Sequence, residues 1–515
     1  MEGTILDFGS DAMKKRSLIL VTVDCLRADH VGFLGYHRPV TPFLDSLASS
    51  SLIFSDAIVA GAPTYFSFPA IMASRYPLAL GRDVLGIAPG EATLATALHD
   101  CGYATAAFLA GNPYLNARSG YHQGFDSFRD FMDSALPMGS EEFSGKRRLS
   151  KFNDFLQTGS HRSRLTAAAY DELYFWYCQW RTSGENCSMD RLRRYPAADV
   201  MVDQARSWLS GLGEEPFFLW LHLMDPHHPY YPPEEALSSI GGAKITGRRA
   251  RFLNSIWNRD LEAGRLQRYC EEMLSLYDAG VFWVDKQISR LVRALQQFRR
   301  WDDTVFVVTA DHGEEFLDHG GRYHSPTNLH EQLIHVPLLM HVPQAAGAHL
   351  SEAPFSLIHL APTLLEALGV AAPESFQGQS YWQRISSGKL PIEPAIAECV
   401  AGCSNPMRVA DRMRCALLAV RERDYKLVLD FKEKIDWMYD LKKDPKENSP
   451  LPIDAARAER GRLLRAARTH IQKTRKSDGD GLNIHADLRL RARLRELQQA
   501  IDSGRDNIST GAGAY

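Results

Sequence analysis

The sequence lacks a dominant charge of either sign: across 515 residues the formal net charge is −3. No global field therefore points toward nucleic acid or an anionic membrane. The short basic runs Arg248-Arg249-Ala250-Arg251 and Phe298-Arg299-Arg300 read as solvated faces, and no nucleic-acid-binding module is evident. Long hydrophobic runs are also missing. Met1 to Arg16 contains no apolar leader core, and the first apolar run, Leu18 to Val23, ends in an acid. No stretch reaches the roughly 18 apolar residues that a membrane span needs. The eight cysteines are scattered, which suits a reducing compartment. Cys399 and Cys403 lie four apart, but no second pair follows to complete a zinc knuckle. Together these absences predict a cytoplasmic protein. There is no internal repeat.

What is present is a long chain of ordinary globular composition, 45% hydrophobic and 23% charged, able to bury a large core. Ser17 to Val23, Pro216 to Leu223, Thr304 to Thr309 and Val336 to Val342 are continuous β-rich apolar runs. Such runs fit parallel strands covered on both faces. Helical patterns intervene at Thr41 to Ser50, Ala92 to Cys101, Ala197 to Leu212 and about Leu266 to Phe298. The alternation predicts an α/β fold, with a mostly parallel central sheet flanked by helices over residues 17–390. Residues 130–195 are irregular, polar and aromatic, and read as an insertion over the strand ends, where substrate selection often resides. Over 391–450 the pattern becomes a small antiparallel subdomain, with a hairpin turning at Glu422-Arg423-Asp424. The tail, 451–515, carries Arg, Ala and Leu at helical spacing. It reads as a helix pair packed on the body or on a second subunit, giving a possible route to a homo-oligomer.

In open α/β sheets, ligands bind at the carboxyl ends of the strands. Asp24, Asp225, His227, Asp311 and His312 all fall there. A buried strand-end Asp is costly unless it is paired or coordinating, although each could simply cap the next element. Mixed Asp and His ligands suit a catalytic divalent ion. Two His-containing elements favour Zn or Mn over Mg or Ca. His227, in Met224-Asp225-Pro226-His227-His228-Pro229-Tyr230, and His324, thirteen residues after Asp311, stand beside these candidates. His228, His319 and His335 have weaker claims, and His335, just before Val336-Pro337, reads as structural. Thr64 follows Gly61-Ala62-Pro63 and precedes a candidate helix. A hydroxyl there is usually an N-cap. The same geometry can aim backbone N–H groups at an anion and set the hydroxyl beside a metal.

In this order, these residues resemble the sulfatase branch of the alkaline phosphatase superfamily. Val21 to His30, Thr41-Pro42-Phe43-Leu44-Asp45, Thr64 to Pro77, His227-His228-Pro229-Tyr230, Asp311 to Glu315 with Asp318-His319-Gly320, Ala361 to Leu365, Tyr425-Lys426-Leu427 and Tyr439 to Glu447 carry the resemblance. It implies a large α/β domain followed by a small antiparallel one. It also implies Asp24, Asp311 and His312 as metal ligands, and Thr64 as both ligand and nucleophile. His227 and His324 would hold the transferred group's oxygens or help bind a second ion.

The chain departs from the family pattern at three places. Sulfatases carry Cys or Ser in a C/S-x-P-x-R motif that is oxidised to formylglycine. Counting back from Ser74-Arg75-Tyr76-Pro77 puts Thr64 at that position and Phe68 at the Arg position. Threonine would yield a ketone rather than an aldehyde. His324 stands where many sulfatases carry Lys, and His359 replaces an Asp. Ser67-Phe68-Pro69 offers a competing register, three residues too short. A formylglycine hydrate expels sulfate by reforming its aldehyde, an exit a plain alkoxide lacks. The expectation is a hydrolase of a small-molecule phosphate diester or monoester acting through Thr64. The alternatives are a sulfuric ester hydrolase, a phospho-group transferase, or a non-catalytic binding protein.

Overall fold

Three of the four apolar runs lie side by side in the middle of one large sheet. In the computed structural model, β1 (Ser17–Val23), β5 (Phe217–Leu223) and β6 (Thr304–Ala310) are buried at every residue. Burial on both faces is what their uninterrupted hydrophobicity requires. β1 runs parallel to both neighbours, with Val23 opposite Leu223 on one side and Ala310 on the other. The structure describes residues 15–77, 86–132, 188–241, 244–259, 261–324, 328–345, 347–350, 353–387, 393–399, 417–431 and 433–474, with single positions elsewhere.

The sheet continues outward with β2 (Leu52–Ile58), β3 (Ala104–Leu109), β4 (Ser127–Arg129), β9 (His335–His341) and β10 (Ala348–Leu350), in the order β10-β2-β9-β6-β1-β5-β3-β4. Among the described strands of this sheet, β9 alone opposes its neighbours; it pairs antiparallel with both β2 and β6. A further short strand, Phe355–Ser356, pairs with β2. β2 and β3 are strands that apolar patterning does not reveal. β2 carries Ser55-Asp56 and shifts register between Phe54 and Ala57. β3 is half alanine, a residue depleted in strands.

Helices at Pro42–Ala48, Leu94–Asp100, Ala198–Ser210 and Cys270–Gln297 fall within the four predicted windows. The last spans 28 residues and lays one apolar face on the core. Its Gly280 is needed for close approach: a Cβ there would stand 2.7 Å from the carbonyl oxygen of Asp225, in the loop after β5. Most of the predicted 130–195 insertion lies outside the described residues.

The C-terminal part is a separate four-stranded antiparallel sheet, β12 (Ala395–Cys399) to β15 (Ile435–Asp440) in sequence order. The predicted hairpin is β13 (Leu417–Glu422) and β14 (Tyr425–Asp430), closed by Arg423-Asp424 between the paired Glu422 and Tyr425. Helix Arg457–Thr474 covers this sheet, packing Leu463, Leu464, Ala467 and Ile471 against Leu418, Leu427 and Met438. The second half of the predicted helix pair lies outside the described residues.

Buried ions join the two sheets. Lys426, on β14 and fully buried, reaches Glu447 at 2.8 Å and Glu331 at 3.1 Å. Arg421 on β13 pairs with Glu331 at 2.8 Å and with Asp56 on β2. β12 also touches the loop that follows β2: the Glu398 amide donates to the Ala60 carbonyl at 2.8 Å. At Gly61 a Cβ would lie 2.5 Å from the Glu398 carbonyl oxygen, so a side chain there would push the sheets apart.

Candidate active site

The strand ends bring two carboxylates together. Because β1 and β6 end in register, Asp24 and Asp311 leave neighbouring backbone positions, and both are fully buried. Asp24 is the better partnered. Asn112 Nδ2 donates to its Oδ2 at 2.8 Å, His222 Nε2 lies 3.3 Å from the same oxygen, and Cys25 Sγ donates to Oδ1 at 3.1 Å. Burial works to raise the Asp24 pKa, but the neighbouring His227, His222 and His312 outweigh it and hold the carboxyl well below its ordinary range. Asp311 behaves in the opposite way. Burial and the charge of Asp24 push it up to about 6, and its buried Oδ2 has no hydrogen-bond partner.

His312 faces both acids, with Nε2 3.6 Å from Asp24 Oδ1 and 3.5 Å from Asp311 Oδ2. Burial disfavours its charged form, but Asp311 and Asp24 overcome this and raise its pKa. Its Nδ1 lies 2.8 Å from the Gly313 carbonyl, so in the neutral ring Nδ1 carries the proton and Nε2 the lone pair. Gly313 is required at this turn, because a Cβ would meet the Gln332 carbonyl oxygen at 1.9 Å.

Thr64 comes to the same point from across the sheet. It is the first residue of helix Thr64–Ala73, and its Oγ1 lies 3.2 Å from His312 Nε2. Ser67, the competing hydroxyl, donates instead to the Thr64 carbonyl at 3.2 Å and is fully buried. Phe68, at the position where the resembled family carries Arg, fills an aromatic cluster with Trp220 at 5.4 Å and His222 at 5.2 Å between ring centroids.

The remaining predicted histidines gather on the open side. His324 lies 4.6 Å from His312 and 5.0 Å from His227, ring centre to ring centre. Its Nδ1 is 3.1 Å from Glu314 Oε1 and 3.4 Å from Cys25 Sγ. Burial, followed by the neighbouring His312 and His227, holds His324 well below the usual histidine range. Burial likewise pushes Glu314 up to about 7, while Tyr230 Oη donates to its Oε2 at 3.1 Å. The ring of His228 stacks on His227 at 4.5 Å.

All six predicted site residues, Asp24, Thr64, His227, Asp311, His312 and His324, thus meet in one place. Asp225 does not join them: its Oδ2 accepts from the Ala198 amide at 3.0 Å and caps a helix. His335 bonds the Ser55 carbonyl at 2.8 Å, the structural role its sequence context suggested. His319 stacks on His330 near Glu447, in a group apart from the candidate site. The sequence reading missed Asn112, His222 and Cys25. A histidine inside the apolar run of β5 was a usable signal, since burying a polar ring needs a partner. Asn112 follows a strand that patterning did not reveal and carried none.

Asp24, His222 and Asp311, and separately Asp24, Cys25 and His312, place ligand atoms within 4.8 Å of one another. An unpartnered buried carboxylate oxygen beside a second buried carboxylate fits a cation. Among the described residues no helix is long and apolar enough to cross a membrane.

Comparisons with known proteins agree with this arrangement. Residues 16–370 match the family model "Sulfatase", and residues 320–474 match "N-sulphoglucosamine sulphohydrolase, C-terminal". The chain is 27% identical over 217 residues to N-acetylglucosamine-6-O-sulfatase of Bacteroides thetaiotaomicron, covering 42% of this chain and 37% of that protein. It is 24% identical over 500 residues to the multifunctional alkaline phosphatase superfamily protein PehA of Trinickia caryophylli, covering 87% and 93%. Among solved structures, one in complex with its substrate D-glucosamine-2-N,6-O-disulfate superposes with a TM-score of 0.64 at 19% identity, covering 91% and 100%. The phosphonate monoester hydrolase of Agrobacterium radiobacter superposes with a TM-score of 0.60 at 18% identity, covering 88% and 96%. These likenesses share the large α/β sheet and the smaller antiparallel one. Members of this family generally bind a divalent metal ion. The chain belongs to the sulfatase family of the alkaline phosphatase superfamily, hydrolases acting on sulfate or phosphate esters.

Proposed function

We propose that this enzyme hydrolyses a phosphate-type ester of a small molecule, using the Thr64 hydroxyl as nucleophile. The observation that carries this reading is the 3.2 Å contact between Thr64 Oγ1 and His312 Nε2, with Ser67 turned to the backbone. Asp24, Asp311 and His312 would hold a divalent cation, Zn or Mn by their donor set. Such an ion lowers the pKa of a neighbouring hydroxyl and offsets negative charge on an ester. The chain's own residues do the rest. The start of helix Thr64–Ala73 directs backbone N–H groups toward an anion. Thr64 Oγ1, its proton lost to solvent, forms a bond to phosphorus as the bond to the leaving oxygen breaks. His324 and His227 line the open side; His324 donates to the transferred group's oxygens, while His227, whose Nδ1–H goes to the His228 carbonyl, keeps the Nε2 lone pair for a proton. Water then attacks phosphorus as the bond from phosphorus to Thr64 Oγ1 breaks; His227 takes the water's proton, and Oγ1 regains a proton from solvent.

A specific observation also favours a second reading, sulfuric ester hydrolysis. The matching family is named for it, and several relatives bear sulfatase names, among them arylsulfatase K of Xenopus laevis and choline-sulfatase of Rhizobium meliloti. PehA and the phosphonate monoester hydrolase support the phosphoryl side. The two readings separate on turnover of 4-nitrophenyl sulfate against 4-nitrophenyl phosphate and its diester by the metal-loaded protein. A faster sulfate reaction would replace the first reading with the second. Full activity in Thr64→Ala would remove Thr64 from both.

A further inference from the structure

Asp24 stands at the end of a line of polar side chains that runs back into the large sheet. β1 and β5 pair in parallel, with Thr22 opposite His222 and Leu20 opposite Trp220. The Asp24 amide continues the ladder, donating to the Leu223 carbonyl at 2.8 Å. Side chains two apart on a strand share a face, so Thr22 and Asp24 lie beside Trp220 and His222. All four are fully buried. Trp220 Nε1 donates to Thr22 Oγ1 at 3.0 Å, and the same oxygen lies 3.0 Å from His222 Nδ1. His222 Nε2 then lies 3.3 Å from Asp24 Oδ2.

The two ends of this line fix its direction. An indole N–H can only donate, and a carboxylate can only accept. Thr22 Oγ1 accepts from Trp220, so its own hydrogen is left for His222 Nδ1 or for the Leu221 carbonyl at 3.2 Å. At the other end, a lone pair on His222 Nε2 would face a buried carboxylate oxygen, whereas Nε2–H bonds it. His222 is therefore the tautomer with its hydrogen on Nε2, accepting at Nδ1 from Thr22. Asn112 Nδ2 donates to the same Asp24 oxygen at 2.8 Å and comes within 3.5 Å of His222 Nε2, as two donors on one acceptor do. Oδ2 thus receives two N–H groups. Oδ1 carries the weaker Cys25 thiol donor and is the oxygen 3.6 Å from His312 Nε2. Phe68 meets the His222 ring edge-on, with 85° between their planes, so packing also holds the imidazole.

From this geometry we infer that Thr22 and His222 form a positioning relay: Thr22 locks the His222 tautomer, and His222 pins Asp24 Oδ2 so that Oδ1 is turned toward the cation. The inference rests on the reading above that Asp24, Asp311 and His312 hold a divalent ion. It does not depend on whether phosphorus or sulfur reacts. His222 also belongs, with Asp24 and Asp311, to a group whose ligand atoms lie within 4.8 Å of one another. As a direct ligand it would need the opposite tautomer, with the lone pair on Nε2.

The test is the affinity of the full chain for Zn alone, measured by competition with a chromophoric chelator. Asp311→Asn is the blank that defines this site. Thr22→Val and His222→Leu should each weaken binding about 10- to 100-fold, the range for outer partners of metal ligands. The double variant should bind no more weakly than His222→Leu, because the two residues act in one line. Thr22→Ser keeps the hydroxyl, and His222→Gln keeps an N–H for Asp24, so both should bind near wild type. Circular dichroism of the ion-free proteins checks folding, and Thr22→Ser against Thr22→Val carries the test if His222→Leu does not fold. Unchanged affinity in Thr22→Val, or additive losses in the double variant, overturns the relay. His222→Gln as weak as His222→Leu makes His222 a ligand and overturns it as well. A wild type that binds no more Zn than Asp311→Asn removes the cation reading and the relay with it, a result distinct from a bound ion indifferent to Thr22.

Discussion

Asp24 and Asp311 terminate neighbouring parallel strands in register, one residue beyond the paired Val23 and Ala310. The sheet itself therefore sets their spacing, and no flexible loop intervenes. Two fully buried carboxylates held this way repel: burial and then the charge of Asp24 push Asp311 up to about 6, while the surrounding histidines hold Asp24 far down. A bound cation would relieve that repulsion, and this gives a measurable expectation. Stripping divalent ions with a chelator should lower the melting temperature, and added Zn or Mn should restore it. At a ligand concentration of 100 times Kd the gain is about 2.7 kcal/mol. Asp311→Asn should melt at the same temperature with and without the ion. If the wild type shows no ion-dependent shift by differential scanning fluorimetry, the metal assignment fails.

The hydroxyl at Thr64 is expected to be indispensable, and that at Ser67 dispensable. Thr64→Ala should reduce kcat by about 10³-fold or more, whereas Thr64→Ser should retain measurable turnover. Ser67→Ala should stay near wild type, because among the described residues the Ser67 hydroxyl bonds just the Thr64 carbonyl. Mass spectrometry of acid-quenched turnover mixtures should find a phosphoryl adduct on the peptide containing Thr64. An adduct on Ser67 would reverse the assignment.

Phe68 is part of the core, and an arginine in its place would have to displace packed rings. Its ring is fully buried against Trp220 and His222. Phe68→Ala should cost about 3–5 kcal/mol by urea unfolding. Phe68→Arg should cost at least as much, because it replaces a packed aromatic ring with a long, charged side chain in a fully buried position. Equal or greater stability in Phe68→Arg would show that the site still accommodates the family's residue.

Acid should loosen the junction between the two sheets. Lys426 and His330 hold Glu447 well below the ordinary glutamate range, against the effect of burial. A carboxyl with a depressed folded pKa contributes stability above its unfolded value of about 4.3, and loses it as pH falls toward the folded value. Wild-type stability should therefore drop more steeply below about pH 4.3 than that of Glu447→Gln. The variant should be the less stable at pH 7. Parallel pH curves for the two proteins would contradict the assignment.

Much of the fold was legible because its central strands carry no polar interruption. Ser17–Val23 and Thr304–Ala310 read as buried strands from residue type alone, and the acids that follow them marked the ligand-binding end. Leu52–Ile58 and Ala104–Leu109 were not legible. The first contains Ser55-Asp56 and a register shift, and the second depends on alanines whose burial comes from their neighbours. The site was legible wherever a polar residue ended an apolar run, as at Asp24, Asp311 and His227. Asn112 and Cys25 gain their significance from contacts across the sheet, 88 residues apart for Asn112 and Asp24 and 299 for Cys25 and His324. No local pattern records such distances.

The bond from Glu398 to Ala60, and the tight fit of Gly61 beneath the Glu398 carbonyl, tie the edge of the small sheet to the loop that delivers Thr64. The C-terminal sheet thus acts as a backstop for the loop that carries Thr64. Damage there would first be seen as a misplaced Thr64, in a protein whose large sheet and carboxylate pair are still intact.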